Sequence, residues 1–199
     1  MFDARLRPLL ARPLDAVAAA VDRPWVTPDR VTLLGLALGL GSALAAALAA
    51  WPLAVVLWLA SRLADGIDGP LARRRARDDG AGGFLDITCD FLVYGATVVG
   101  VAVGSGAALW PFLLVLLAYY VNGTAFLAFS SIAERTGRRL DDGRSLSFLG
   151  GLAEGAETVA VHTLWLLLPQ LAGEIALVWA SVVAVSAGHR IWAGYRALR

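Results

Sequence analysis

The sequence predicts an all-α integral membrane protein with six transmembrane helices and an N-terminal interfacial amphipathic helix. Of its 199 residues, 58% are hydrophobic, and the mean hydropathy is +0.68, as in membrane proteins. Apolar stretches that approach the roughly 20 residues of a spanning helix recur along the chain. At 199 residues, the chain has room for about six such helices with short loops, which leaves no room for a separate soluble domain. We therefore treat 1–199 as one membrane domain, with the interfacial helix in 1–28 and a six-span bundle in 29–199.

The first segment has the pattern of an amphipathic helix. Between residues 5 and 21, apolar side chains such as Leu14 and Val17 recur at helical spacing. Such a helix lies in the membrane interface, and Pro8 and Pro13 are expected to break it. A loosely ordered tail is the alternative.

The transmembrane segment begins with a capping pattern. Thr27 followed by Pro28 is typical of an N-cap and a first helical position, so the first span should begin at about residue 29. Gly35 and Gly39 favour close helix packing in this span, although a high content of small residues explains them equally well. We place the spans near 30–50, 52–74, 83–104, 108–132, 148–168 and 174–195.

The distribution of arginine predicts the topology. The chain contains no lysine, and its arginines cluster before the first span, after the second, after the fourth and at the C-terminal end. The three other connections contain no arginine. By the positive-inside rule, both termini and the arginine-rich connection after residue 73 face the cytoplasm.

Four aspartates flank this cytoplasmic connection. Asp65 and Asp68 share a face of the second predicted span, and Asp86 and Asp90 share a face of the third. Carboxylates that converge in this way repel one another unless hard cations neutralise them. Oxygen ligands select Mg²⁺ or Mn²⁺ over softer metals, and two such ions would neutralise four carboxylates.

Small and basic residues between the aspartates fit a bound nucleotide. Gly69 and Gly82 leave room for a ligand to approach the backbone. Arg73 is suited to holding phosphate oxygens, because its guanidinium is planar. No nucleic-acid-binding pattern is found.

The complete spacing is Asp65-x2-Asp68-Gly69-x2-Ala72-Arg73-x8-Gly82-x3-Asp86-x3-Asp90. At every defined position this resembles the signature of the CDP-alcohol phosphotransferase family, membrane enzymes of phospholipid synthesis. The resemblance extends to the start of the first span at Thr27, Pro28 and Thr32, whereas Asp29 stands where the family commonly has asparagine.

The resemblance implies a reaction and a set of roles. A CDP-linked lipid, usually CDP-diacylglycerol, would donate its phosphatidyl group to the hydroxyl of a small alcohol, with release of CMP. Asp65, Asp68 and Asp86 would bind the metals, and Asp90 would act as general base and metal ligand. Gly69, Ala72, Arg73 and Gly82 would bind the CDP moiety. A homodimer in the bacterial inner membrane is also implied.

A cation or proton transporter is the competing function, because intramembrane aspartates also mark ion pathways. Such proteins place their carboxylates near the midplane, often between inverted repeats. Here the aspartates lie beside a cytoplasmic loop and no repeat is visible, so an enzyme is favoured.

The acceptor is less clearly indicated. Phe91 occupies a position where relatives that use phosphorylated acceptors have a cation, which favours an unphosphorylated, serine-like acceptor. The alternative is glycerol 3-phosphate or an inositol phosphate. The candidate acceptor-binding residues are Arg62, Arg74, Arg139, Arg144, Glu154 and Glu157. The two glutamates can line the acceptor cavity or form structural ion pairs.

Overall fold

The computed structural model describes residues 3–75, 80–137 and 153–199, with side chains from residue 9 onward. Within these ranges the chain folds into seven α-helices and one short 3-10 turn, Pro169–Leu171. The helices are α1 Asp3–Val21, α2 Pro28–Ala47, α3 Trp51–Arg74, α4 Ala81–Gly104, α5 Trp110–Arg135, α6 Gly155–Leu167 and α7 Ala172–Leu198.

Among the described residues, four helical segments are long and apolar enough to cross a membrane, namely Pro28–Ala47, Ala81–Gly104, Trp110–Arg135 and Pro169–Leu198. The 24-residue helix α3 carries the charged residues of the aspartate motif, and α6 has 13 residues. The predicted start of the fifth span at 148 lies outside the described residues. Four of the six predicted spans are thus supported, and the full count stays a prediction.

Helix α1 runs without interruption through Pro8 and Pro13, so the expected break is wrong. Proline inside a helix removes one backbone donor and crowds the carbonyl of the preceding turn, which costs about 3 kcal/mol. Tertiary contacts compensate, because α1 packs against α3. Leu14 Cδ2 lies 3.2 Å from where a Cβ on Gly66 would be, and Ala18 is fully buried. The interfacial location of α1 stays a prediction.

Helix α2 begins as the capping pattern indicates. The side chain of Thr27 accepts a hydrogen bond of 3.3 Å from the backbone N–H of Arg30, and Pro28 is the first helical residue. The cap satisfies one of the backbone donors that every helix start leaves open.

Small residues bring α2 close to both α3 and α4, its main partners. A Cβ on Gly39 would lie 2.6 Å from Val93 of α4. Gly100 and Gly104 of α4 have no room for a Cβ, because the backbone of Ala43 and Ala46 in α2 contacts them directly. Close packing through glycine, expected from the first span, is confirmed and fixes α2, α3 and α4 as one unit.

The other helices complete the bundle around a buried aromatic core. Helix α5 packs mainly on α7, while α6 contacts α3. Trp58, Phe112 and Trp165 are almost completely buried between them. The indole of Trp165 donates a hydrogen bond of 3.1 Å to the carbonyl of Ala172, which ties α6 to the start of α7.

Candidate active site

The aspartate motif spans the end of α3 and the start of α4. Asp65 and Asp68 lie in the last three turns of α3, and Asp86 and Asp90 lie in the first three turns of α4. Since α2 packs closely against both helices, the two halves of the motif are held side by side.

Three of the four carboxylates converge. Oxygen atoms of Asp65, Asp86 and Asp90 all lie within 4.8 Å of one another. Hard divalent cations bind oxygen ligands at about 2.0 to 2.6 Å, so one ion can reach all three carboxylates. The geometry therefore fits the predicted metal site, and the donor set fits Mg²⁺ or Mn²⁺.

Asp68 has a different environment from this group. Its side chain is buried, and the hydroxyl of Thr32 on α2 donates a hydrogen bond of 2.6 Å to Oδ2. Thr32 therefore supports Asp68, a role that was not predicted from the sequence. Thr32 and Asp68 are 36 residues apart and lie on different helices, so spacing within one helix gave no signal for this contact. The assignment of Asp68 as a metal ligand stays a prediction.

Arg62 lies next to the converging carboxylates. Its Nη1 atom is 2.7 Å from Oδ1 of Asp90 and 3.7 Å from Oδ1 of Asp65. The side chain is only 9% exposed. The sequence suggested Arg62 as a binder of the acceptor, but the structure shows its guanidinium occupied by the motif itself.

Aromatic rings enclose this arginine. The guanidinium carbon of Arg62 lies 5.1 Å from the ring centroid of Trp58 and 5.2 Å from that of Tyr94. Neither ring was predicted to belong to the site. Their spacing was a usable signal, because Trp58 precedes Arg62 by four residues and Tyr94 follows Asp90 by four, which places each ring one turn from its charged neighbour.

The predicted nucleotide-binding residues are exposed or half-buried. Arg73 is exposed, and its Nη1 atom lies 3.5 Å from where a Cβ on Gly69 would be. Asp29 of α2 lies near Gly82, and its Oδ1 atom is 4.0 Å from where a Cβ on Gly82 would be. Ala72 is half-buried beside them. Their role in binding CDP stays a prediction.

Arg74, another acceptor candidate, belongs to a group of ion pairs that links the end of α3 to the loop between α1 and α2. Its Nε lies 3.5 Å from Asp22, and the neighbouring Arg75 donates two hydrogen bonds, of 3.1 and 2.7 Å, to Oδ1 of Asp22. The hydrogen bond from Arg75 lowers the pKa of Asp22, although exposure of this carboxylate to solvent opposes any large effect. Arg74 is thus engaged away from the carboxylate group.

Two of the remaining acceptor candidates, Glu154 and Glu157, lie at the start of α6. Glu154 is buried immediately before the helix, and Glu157 is half-buried in its first turn. Arg139 and Arg144 lie outside the described residues. The contribution of these four residues to an acceptor site stays a prediction.

Comparison with known proteins agrees with this arrangement. A family model described as CDP-alcohol phosphatidyltransferase matches residues 25–186. The inner membrane protein YnjF of Escherichia coli (strain K12) is 35% identical over 100% of this chain and 98% of its own length.

Relatives that match a shorter part of the chain are named as synthases. Archaetidylinositol phosphate synthase of Methanothermobacter thermautotrophicus is 34% identical over 56% of each chain. Phosphatidylinositol phosphate synthase of Mycolicibacterium smegmatis is 40% identical over 46% of this chain and 40% of its own.

Solved structures share the fold. The phosphatidylinositol phosphate synthase PgsA1 of Mycobacterium tuberculosis, in a crystal structure with CDP-DAG bound, superposes with a TM-score of 0.75. It has 21% identity over 92% of this chain and 94% of its own. A second structure of PgsA1, with manganese and citrate, has a TM-score of 0.72 over 92% and 88% of the two chains. With the match of the family model over most of the chain, the motif and its geometry have one explanation: the chain belongs to the CDP-alcohol phosphatidyltransferase family, enzymes that transfer phosphatidyl groups.

Proposed function

We propose that this protein transfers the substituted phosphate group of a CDP-linked lipid, of the CDP-diacylglycerol type, to the hydroxyl of a small polar alcohol. The observation that carries the proposal is the convergence of Asp65, Asp86 and Asp90 within 4.8 Å. The binding of CDP-DAG by PgsA1, which has the same fold, supports this class of donor.

The motif residues divide the work of binding. Asp65, Asp86 and Asp90, together with Asp68, would hold two divalent cations, Mg²⁺ or Mn²⁺. When bound, such ions stabilise negative charge on the entering and leaving oxygens of an in-line displacement. Arg73 contacts the diphosphate. Because Gly69 and Gly82 have no side chain, the nucleotide can approach the backbone beside Arg73.

The chemical step is a displacement at the β-phosphorus of the donor. The acceptor oxygen forms the new P–O bond while the bond to the bridging oxygen of CMP breaks, and CMP leaves with the electron pair. Asp90 takes the proton from the acceptor hydroxyl as general base.

For the acceptor, a phosphorylated alcohol is the first candidate. Two relatives that match about half of this chain are named archaetidylinositol phosphate synthase and phosphatidylinositol phosphate synthase. A phosphorylated acceptor needs cations besides Arg73, which binds the diphosphate of the donor, and the candidates Arg139 and Arg144 lie outside the described residues. A serine-like acceptor is the second candidate, because Phe91 replaces a cation directly after Asp90, and Arg62 and Arg74 are both engaged by aspartates.

A panel of acceptors tests the proposal. Purified protein receives CDP-diacylglycerol and Mn²⁺ with inositol 1-phosphate, glycerol 3-phosphate, serine, inositol or glycerol. We expect CMP release and a lipid product, detected by mass spectrometry, with one phosphorylated acceptor, and EDTA should abolish both. A phosphatidylserine product would select the second candidate. The control is CMP release without acceptor, and failure of every acceptor to raise it would contradict the proposal.

We also propose a location and an assembly. The apolar helices and the inner-membrane relative from Escherichia coli support a bacterial inner membrane protein, with both termini and the carboxylate group at the cytoplasmic side. The family resemblance implies a homodimer among membrane lipids, whose protein mass would be about twice 20.9 kDa.

A further inference from the structure

Arg62 is a buried cation within the carboxylate group. Its Nη1 donates a hydrogen bond of 2.7 Å to Oδ1 of Asp90 and lies 3.7 Å from Asp65. A buried arginine is costly unless it is paired, so this position demands a reason other than solubility or topology.

The arginine is fixed on several sides. Nη1 also donates to the hydroxyl of Tyr94 at 3.3 Å, and Nη2 donates to Oγ of Ser61 at 3.0 Å. The hydroxyl of Ser61 in turn donates to the carbonyl of Gly35 in α2 at 2.7 Å. With the ring of Trp58 against it as well, the guanidinium is held by groups of both α3 and α4.

The enclosing rings rest on a second buried layer. His162 of α6 stacks on Trp58 with the centroids 5.1 Å apart, and lies 5.4 Å from the ring of Tyr94. Its Nε2 is 2.9 Å from the hydroxyl of Tyr119, which accepts a hydrogen bond of 2.6 Å from the indole of Trp179. Rings from five helices, α3 to α7, thus hold one guanidinium in position.

We propose that Arg62 is a positioning residue for Asp90, an inference that rests on the proposed function. By binding Oδ1, it fixes the carboxylate so that Oδ2 is the oxygen that receives the acceptor proton. Its positive charge also opposes the binding of divalent cations a few ångströms away. The arginine therefore raises turnover while it weakens metal binding.

These two effects have opposite signs, which a merely structural role would not produce. In Arg62→Gln, we expect Mn²⁺ to bind at least about threefold more tightly, since a repelling charge has been removed. We expect kcat to fall by about 10- to 100-fold, a part of the 10²- to 10⁴-fold that a well-placed general base contributes. The KM for CDP-diacylglycerol should change little.

The measurements are a Mn²⁺ titration followed by electron paramagnetic resonance and the steady-state kinetics of CMP release. Arg62→Lys keeps the charge but not the planar fork, so its Mn²⁺ affinity should match the wild type while its kcat stays reduced. The matched control is Arg196→Gln, which removes an exposed arginine that also stacks on an aromatic ring, Trp192. Both quantities should be unchanged in the control.

A kcat of Arg62→Gln within about twofold of the wild type would overturn the proposal, as would a loss of Mn²⁺ binding in a folded protein. If this variant does not fold, the thermal midpoints of Arg62→Lys, Asp90→Asn and their double variant decide. We expect the thermal midpoint of the double variant to be no lower than that of the less stable single variant. The reason is that either substitution alone already removes the interaction between residues 62 and 90. Additive losses would overturn the proposal. An inactive wild type would contradict only the proposed function, since the titration and the melting cycle do not depend on turnover.

Discussion

At the scale of single residues, Asp86 differs from the other two carboxylates of the group by its neighbours. Arg62 contacts Asp65 and Asp90, but in the described part of the chain no arginine pairs with Asp86. Replacing Asp90 by asparagine leaves the buried Arg62 with a weaker partner, which affects folding as well as chemistry. Asp86 is therefore the position at which metal binding is tested most cleanly.

We expect Asp86→Asn to lose most of the turnover and to bind Mn²⁺ at least about tenfold more weakly. Loss of an outer-shell group alone costs about 10- to 100-fold in metal affinity, and Asp86 is assigned as a direct ligand. The readouts are CMP release and a Mn²⁺ titration. Asp15→Asn, at an exposed position of α1, is the control and should match the wild type. Near-normal turnover of Asp86→Asn would contradict the metal assignment.

At the scale of helices, the contact between α2 and α4 determines how well the motif is aligned. Gly100 of α4 lies directly against the backbone carbonyl of Ala43, whereas a Cβ on Gly95 of the same helix would have no described residue within 4 Å. The same change, glycine to alanine, should therefore have opposite consequences five residues apart.

We expect Gly100→Ala to lower the free energy of unfolding by about 1 to 3 kcal/mol, the usual cost of overpacking. Gly95→Ala should not lower it, because alanine has the higher helix propensity. Thermal unfolding of the purified protein in detergent compares the two variants. Equal midpoints would show that α2 and α4 are not in backbone contact at this level.

The sequence predicted the elements better than their mutual contacts. The start of α2 follows from local chemistry, because Thr27 and Pro28 cap a helix wherever it lies. The spacing of the aspartates likewise predicted that carboxylates from two helices converge. The pairing of Arg62 with Asp90 depends on how α3 is rotated relative to α4. The close contacts that both helices make with α2 determine this rotation. A one-dimensional pattern does not contain that rotation.

At the scale of the whole molecule, the arginine distribution predicts which side of the membrane each connection faces. The two ends of α5 provide exposed positions for a test, Ala108 just before the helix and Thr136 just after it. The single native cysteine, Cys89, is buried and should react slowly with a polar reagent.

We expect Thr136→Cys to react with a membrane-impermeant maleimide only in inverted vesicles, since this end of α5 precedes an arginine-rich connection. Ala108→Cys should react only in intact cells or right-side-out vesicles. Labelling after membrane permeabilisation is the control for accessibility. The reversed pattern would place the carboxylate group on the outer side and would exclude access of the acceptor from the cytoplasm.

The ion pair between Arg62 and Asp90 also bears on how the chain enters the membrane during synthesis. Helix α3 emerges from the ribosome with Arg62, Asp65 and Asp68, whereas the partner Asp90 follows a helix later. An arginine at the centre of a lone helix costs about 2.5 to 3.5 kcal/mol to insert. Helix α3 is therefore expected to remain beside the translocon until α4 arrives, so that the two helices enter the bilayer as a hairpin with the charges already paired.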